Sequence, residues 1–350
     1  MRVAVVLMNL GGPNNLEAVQ PFLKNLFSDP AIIRAPIFIR YFLARYLAGL
    51  RKAPAMENYK LLGGKSPLLE LTRQQAKNLE LELNKVSEHK VKCFVAMRYW
   101  HPFSKEIVKE VKEFAPQKVV LLPLYPQFSS TTSASSLRDW REAAAGAGFA
   151  CDVTSICCWF DDPAYIAASA KLIKSALENA RAQQSAPVRI LFSAHGLPES
   201  IVKKGDPYAY QIECTARAII SALGEENLDF SICFQSRATP QKWLEPSTEM
   251  TLEKAAKDKT TVLVVPIAFV SDHSETLVEL DVEYRDIALK LGVPGYFRVS
   301  AQNSDPDFIE ALAGITRRAI AQPFGICNLQ DHRQCPSIYK NCPFTNKVAA

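Results

Sequence analysis

Short apolar runs alternate with longer amphipathic stretches along most of this chain. RVAVVLMNL at 2–10, KVVLLPLY at 118–125, VRILFSA at 188–194 and TVLVVPIAF at 261–269 are apolar at nearly every position and rich in β-branched residues. A strand apolar on both faces must be covered on both faces, which points to a parallel sheet sandwiched by helices. Four more strands are predicted at 91–99, 151–159, 229–235 and 296–301, and helical periodicity fills intervals such as 68–86, 163–183, 208–224 and 306–321. The alternation predicts an α/β protein of doubly wound, Rossmann-like units.

The eight predicted strands fall into two groups of four, and 350 residues exceed what one hydrophobic core usually supports. The expected organisation is a first domain over 1–160, a second over 161–305, a helix near 306–322 that returns to complete the first, and a cysteine-containing tail over 323–350. Ligands in such folds bind beyond the carboxyl ends of strands, so an active-site cleft between the two domains is expected.

Composition narrows the class. The chain is 48% hydrophobic and 22% charged, as in a soluble globular enzyme. A net charge of +5 without a dense Lys/Arg run excludes a nucleic-acid footprint. Met1 leads directly into a strand rather than a secretory signal, so a cytoplasmic location is expected. In that compartment nine cysteines argue against a disulfide framework. Segment 31–52 mixes aliphatic and aromatic residues with Arg34, Arg40 and Arg45, which forbids a comfortable membrane span. It suits an interfacial helix at the inner membrane or a greasy lip around a pocket; the alternative is a helix packed on its own domain.

The candidate chemistry collects at strand ends. Three of the five histidines stand just beyond predicted strands: His101, His195 and His273. A shared cleft accounts for that better than chance, with His101 the nearest of the three to a structural role. After His273 come Glu275, Glu279 and Glu283, which on an α-helix form a ladder advancing about 40° per step. Like charges so spaced repel by about 0.2–0.5 kcal/mol per pair, and a cation relieves them. The competing reading is a capping box from Asp272 to Glu275 on a solvated face.

The glycine segments at 9–13 and 63–67 fit neither the dinucleotide fingerprint nor the P-loop, so no nucleotide is expected. The hydroxyl run at 129–136 serves either as a binding wall and carboxylate partner or as a cap for the following helix. In the tail, Cys327, Cys335 and Cys342 are separated by seven and six residues, unlike zinc-ribbon or bacterial ferredoxin spacing. With one thiol from Cys157 or Cys158 they would supply four [2Fe–2S] ligands; incidental cysteines are the alternative.

Taken together, MNLGGP at 8–13, GGKSP at 63–67, MRYWHPF at 97–103, LYPQFSSTT at 124–132, FSAHGLPES at 192–200, FQSRATPQKWLEPST at 234–248 and FVSDHSETLVELDVEY at 269–284 resemble the ferrochelatase family. The resemblance runs from about residue 3 to 322, and its two histidine motifs are the specific part. It implies the chelatase fold and insertion of Fe²⁺ into protoporphyrin IX, the last step of haem biosynthesis. It places His195 and Glu275 as the catalytic pair and metal-handling residues, with His273, Glu279 and Glu283 lining an acidic π-helix path. Arg51, Lys52, Tyr59 and Ser66 fall where the family contacts porphyrin propionates or shapes the lip, and Tyr99 and Trp243 fall on pocket walls. The family often carries two arginines where this chain has Arg51 and Lys52, and lysine gives weaker bidentate recognition. Animal members hold a [2Fe–2S] cluster on more closely spaced tail cysteines, and the position of their fourth ligand is Ala168 here. Cys158 is therefore the candidate substitute beside Cys327, Cys335 and Cys342.

The chemistry fits without the resemblance. Metallation removes two pyrrole protons and calls for a base that is neutral near pH 7, which histidine supplies. Imidazole and carboxylate also bind Fe²⁺ weakly enough to release it, where a closed thiolate site would trap it. Other readings are a coproporphyrin III or cobalt chelatase, or a haem or metal carrier without turnover.

Overall fold

The computed structural model describes residues 1–86, 88–237, 241–330 and 332–344. Residues 238–240 of the FQSRATPQKWLEPST motif, and residues 331 and 345–350 of the tail, lie outside these.

Among the described residues nine strands occur: β1 (Arg2–Asn9), β2 (Lys90–Met97), β3 (Lys118–Pro123), β4 (Asp152–Ile156), β5 (Val188–His195), β6 (Phe230–Gln235), β7 (Thr261–Pro266), β8 (Tyr296–Arg298) and β9 (Gly325–Cys327). They build a five-stranded sheet in the order β2-β1-β3-β4-β9 and a four-stranded sheet in the order β6-β5-β7-β8. Every pairing is parallel, as continuous apolar runs require. The eight strands expected from the sequence are all present. β9 was not expected: three residues carry no periodicity to read.

The chain divides into two compact units, Met1–Cys158 with Ala313–Asp331, and Trp159–Leu312 with the segment from His332 onward. The helix Pro306–Ala321 contributes to both. In the first unit, one face of the sheet packs Val6, Met8, Phe94 and Leu121 against Val108 and Trp140. In the second, Leu191, Val262 and Val264 pack against Leu252, Leu280 and Tyr284. Helix starts are locally encoded where the chemistry allows. Asp162, ahead of Pro163, accepts from the Ala164 and Tyr165 amides at 3.1 Å and so caps the helix Pro163–Gln183.

Two expected features take other forms. The start of the tail is not a separate segment but part of the first sheet: β9 pairs with β4, and the Cys157 amide donates to the Cys327 carbonyl at 2.8 Å. The acidic stretch is not the α-helix assumed from the spacing of its carboxylates but the π-helix implied by the family resemblance, over Glu275–Glu283, with α-helix resuming only at Tyr284–Leu291. The Tyr284 amide donates to the carbonyl of Glu279, five residues back. More residues per turn than 3.6 bring residues four apart closer to one line than the expected α-helical ladder would. Side-chain spacing cannot announce this, because carboxylates four residues apart lie near one line in either kind of turn.

Candidate active site

In the second unit, β5 is buried from Arg189 to Ala194, so His195 is the residue at which the strand leaves the sheet. Gly196 follows because nothing larger fits. A Cβ there would stand 2.8 Å from the Gln235 carbonyl oxygen and 3.2 Å from the Trp243 ring. His195 Nδ1 donates to the Gly196 carbonyl at 2.8 Å, and the Tyr208 hydroxyl donates to the His195 carbonyl at 3.1 Å. His273 is buried, with its ring centroid 4.8 Å from that of Phe269 and Nδ1 donating to the Ser271 carbonyl at 3.0 Å.

A carbonyl only accepts, so each Nδ1 carries the hydrogen and each Nε2 of a neutral ring offers a lone pair. Both Nε2 atoms look at one carboxylate. Glu275 Oε1 is 3.7 Å from His195 Nε2, and Oε2 is 3.7 Å from His273 Nε2. Two lone pairs facing an anion form a set that a proton or a cation completes.

The electrostatics agree. Burial opposes the charged form of His195, but the carboxylates of Glu275 and Glu279 and the Gly196 carbonyl outweigh it, and its pKa sits above the usual histidine value. Burial also lifts Glu275, yet His195 and His273 overcome this and bring it to about 2. Glu279 moves the other way: burial and the charge of Glu275 raise it, against the opposing effects of Ser236, His195 and Gln235. Neighbouring carboxyls pushed apart in this way can take different parts in proton traffic.

Glu279 is held by the Ser236 hydroxyl at 2.6 Å and the Gln235 amide at 3.1 Å, and Gln235 also donates to the Glu275 carbonyl at 3.0 Å. Ser236 takes a φ of +63° to do so, a region disfavoured for residues with a side chain. Glu283 is exposed at the far end of the π-helix. Among the described residues no group of three or more His, Cys, Asp or Glu side chains could hold a metal ion as it stands. His195, His273, Glu275, Glu279 and Glu283 therefore make no closed ligand set.

In the first unit, Arg51 and Lys52 are exposed on the helix Ile37–Leu61, and Tyr59 is buried near its end. Ser66 lies against the β1 loop: its amide donates to the Pro13 carbonyl at 2.8 Å, and a Cβ on Gly12 would come within 2.5 Å of its side chain. Tyr99 corrects an expectation. It is 1% exposed, and its hydroxyl donates to Asp29 at 2.9 Å, which makes it a strut rather than a wall. His101 bonds Glu106 at 2.9 Å at the start of the helix Ser104–Phe114, a structural role.

The cysteines do not gather as expected. Cys158 packs beside Cys157 with the sulfurs 3.4 Å apart, and Cys327 is a strand residue. Cys335 accepts from the Gln211 amide at 3.1 Å and is hydrogen-bonded to Cys342. These residues do not fit a four-thiolate [2Fe–2S] site, since no triad able to hold a metal ion forms among the described residues.

Sequence reasoning passed over Gln235, Ser236, Tyr208 and Arg298. Only Arg298 left a signal: an arginine in the apolar strand run 296–301 needs a buried partner.

The comparisons with known proteins converge. The chain is 49% identical over 315 residues to a protein of Wolbachia sp. subsp. Drosophila simulans named Ferrochelatase, covering 90% of this chain and 98% of that one. It is 44% identical over 350 residues to a protein of the same name from Caulobacter vibrioides, covering 100% of this chain and 99% of the other. The sirohydrochlorin chelatase SirB from Bacillus subtilis subspecies spizizenii, solved with cobalt, shares the fold at a TM-score of 0.51 and 11% identity, over 92% of this chain and 97% of that one. The family described as Ferrochelatase matches residues 2–320, and the chain belongs to it.

Proposed function

We propose that His195 accepts the pyrrole protons in the ferrochelatase reaction of this chain, the insertion of Fe²⁺ into protoporphyrin IX with release of two protons. The observation that carries this is the pair of Nε2 lone pairs set 3.7 Å from the two oxygens of Glu275. Neutral His195 takes a proton from a pyrrole nitrogen, and Glu275 stabilises the imidazolium that forms. Glu279, whose pKa is raised, receives the proton next and passes it toward Glu283 and solvent. The open ligand set suits a substrate ion, which His273 and Glu275 must bind and then release.

In the second unit, Trp243 supplies an apolar surface for the macrocycle beside Gly196. In the first, Arg51, Lys52 and Ser66 bind propionates, and Tyr59 backs Ser66. The [2Fe–2S] cluster forms no part of this proposal. A carrier without turnover is not favoured by full-length relatives named for the enzyme.

The helix Ile37–Leu61 exposes Ile37 (74%), Phe38 (64%), Phe42 (70%) and Tyr46 (68%) beside Arg40 and Arg45. No helix among the described residues is long and apolar enough to cross a membrane. We place this face in the headgroup layer as a peripheral contact of a cytoplasmic enzyme, where substrate and product both partition. Loss of sedimentation with anionic vesicles in a Phe38→Ser/Phe42→Ser variant checks it; unchanged sedimentation rejects it.

The catalytic reading is tested with His195→Ala. Metal insertion into added porphyrin should fall to background while the circular dichroism spectrum and melting cooperativity stay intact. Substantial turnover in a folded variant overturns it.

A further inference from the structure

The π-helix is gripped from outside by one short strand. β8 lies at the edge of the second sheet beside β7, and Tyr296 and Arg298, two residues apart, share a face of it. The Tyr296 hydroxyl donates to the Leu280 carbonyl at 2.6 Å, inside the π-helix. Arg298 forks onto Asp281, Nε to Oδ1 at 2.7 Å and Nη2 to Oδ2 at 2.8 Å. Its remaining nitrogen, Nη1, donates to Asp272 Oδ1 at 2.9 Å. Asp272 is secured further by Asn303 Nδ2 at 2.8 Å and by the Thr276 hydroxyl at 2.9 Å. The Arg298 side chain is only 9% exposed, so these are not loose surface pairs.

One guanidinium thus joins the residue before His273 to the last turn of the π-helix. Asp272 and Asp281 are nine positions apart. Asp272 precedes the helix, which opens at Glu275, so the guanidinium ties the backbone ahead of His273 to the turn that carries Asp281. From Glu275 to Asp281 an α-helix would turn about 600° in six steps and wider turns rotate less, so with Asp281 held by the fork the register sets the direction of Glu275. The register decides whether Glu275 points at the two histidines.

We propose that Arg298 is a positioning residue for metal insertion: bridging Asp272 and Asp281, it holds the π register that aims Glu275 at His195 and His273, and the Tyr296 hydroxyl is its second strut. The proposal rests on the reading of His195 and Glu275 as the acting groups.

Arg298→Lys in the full-length chain keeps the charge and loses the fork. Two readouts are taken together: hydrogen exchange of the amides from Glu279 to Tyr284, and steady-state Fe²⁺ insertion with separate KM values for porphyrin and metal, normalised to folded enzyme. Exchange should accelerate about tenfold as the wide turns open. kcat should fall about 10- to 100-fold, as small misplacements of acting groups do, with porphyrin KM within about twofold of the parent. A merely structural role lowers the folded fraction without this split. Faster exchange with unchanged kcat overturns the proposal, and so does a fall in kcat without faster exchange. If Arg298→Lys does not fold, Tyr296→Phe, which removes one hydroxyl, is measured in the same two ways, and the same results support or overturn the proposal. Turnover surviving in His195→Ala would instead defeat the underlying catalytic reading, and that outcome is read independently of exchange.

Discussion

Nε2 of His195 and Oε1 of Glu275 stand 3.7 Å apart, near enough for each charge to govern the other and too far for a direct hydrogen bond. One closes a buried strand and the other opens the π-helix, so the distance between them is set by the packing of two elements and not by either alone.

Glu275→Gln should move the pH dependence of metal insertion. With the carboxylate gone, burial weighs more heavily against the imidazolium, and the His195 pKa falls from its raised position. Because the neutral ring does the work, the acid limb of kcat/KM shifts to lower pH while the plateau drops. A pH–rate profile from about pH 5 to 9 measures this. An acid limb that stays in place would mean that Glu275 does not set the charge of His195.

Glu279→Gln should lower kcat for metal insertion more than it raises KM for porphyrin, and Glu283→Gln, at an exposed position, should have a smaller effect in the same direction. Removing a like charge near Glu275 offsets part of any structural cost, by about 0.2–0.5 kcal/mol. Equal losses of porphyrin affinity and turnover would make Glu279 part of a pocket wall instead.

Asp29→Asn should destabilise the first unit. The carboxylate is fully buried and accepts from Arg98 at 2.9 Å, Arg138 at 3.0 Å, Tyr99 at 2.9 Å and the Ala31 amide at 2.8 Å, with Ser135 as a further donor. Removing one partner of a buried pair typically costs about 3–5 kcal/mol. Burial raises the Asp29 pKa, but Ser135, Arg98, the Ala31 amide and Tyr99 outweigh it and leave it lowered. The resulting stability is fully present above the unfolded value of about 3.9 and is lost as pH falls through the lower folded value. Urea denaturation at neutral and acidic pH checks both statements: the variant's deficit should be large at pH 7 and shrink in acid. A deficit independent of pH would remove the carboxylate's charge from the account.

These residues show where a sequence can be read and where it cannot. β1, β3 and β7 were legible because nearly every side chain in them is buried, so their apolar runs are almost unbroken. The places of His195 at a strand end and Glu275 at a helix start were legible because both are local features of the chain. The π-helix was legible only through the family resemblance and not in the four-residue spacing, and its grip by Tyr296 and Arg298 from another strand was not legible at all. Nor was the role of the hydroxyl run at 129–136: Ser135 partners Asp29, a contact across 106 positions that no local pattern encodes. The family resemblance put Tyr99 on a pocket wall, and no local pattern announces its burial or its hydrogen bond to that same carboxylate.

The last strand has a consequence for biosynthesis. β9 is translated after every other strand, yet it pairs with β4 and lies in the first sheet. The Lys118 ammonium also awaits late partners, the carbonyls of Ile320 and Gln322. A nascent chain therefore carries an unpaired parallel edge at β4 while the whole of β5 to β8 emerges behind it, the kind of exposed edge that recruits wrong neighbours. The sheet that bears His195 needs no residue beyond Arg298 to pair all its strands. Encoded second, it is the first that the ribosome can finish.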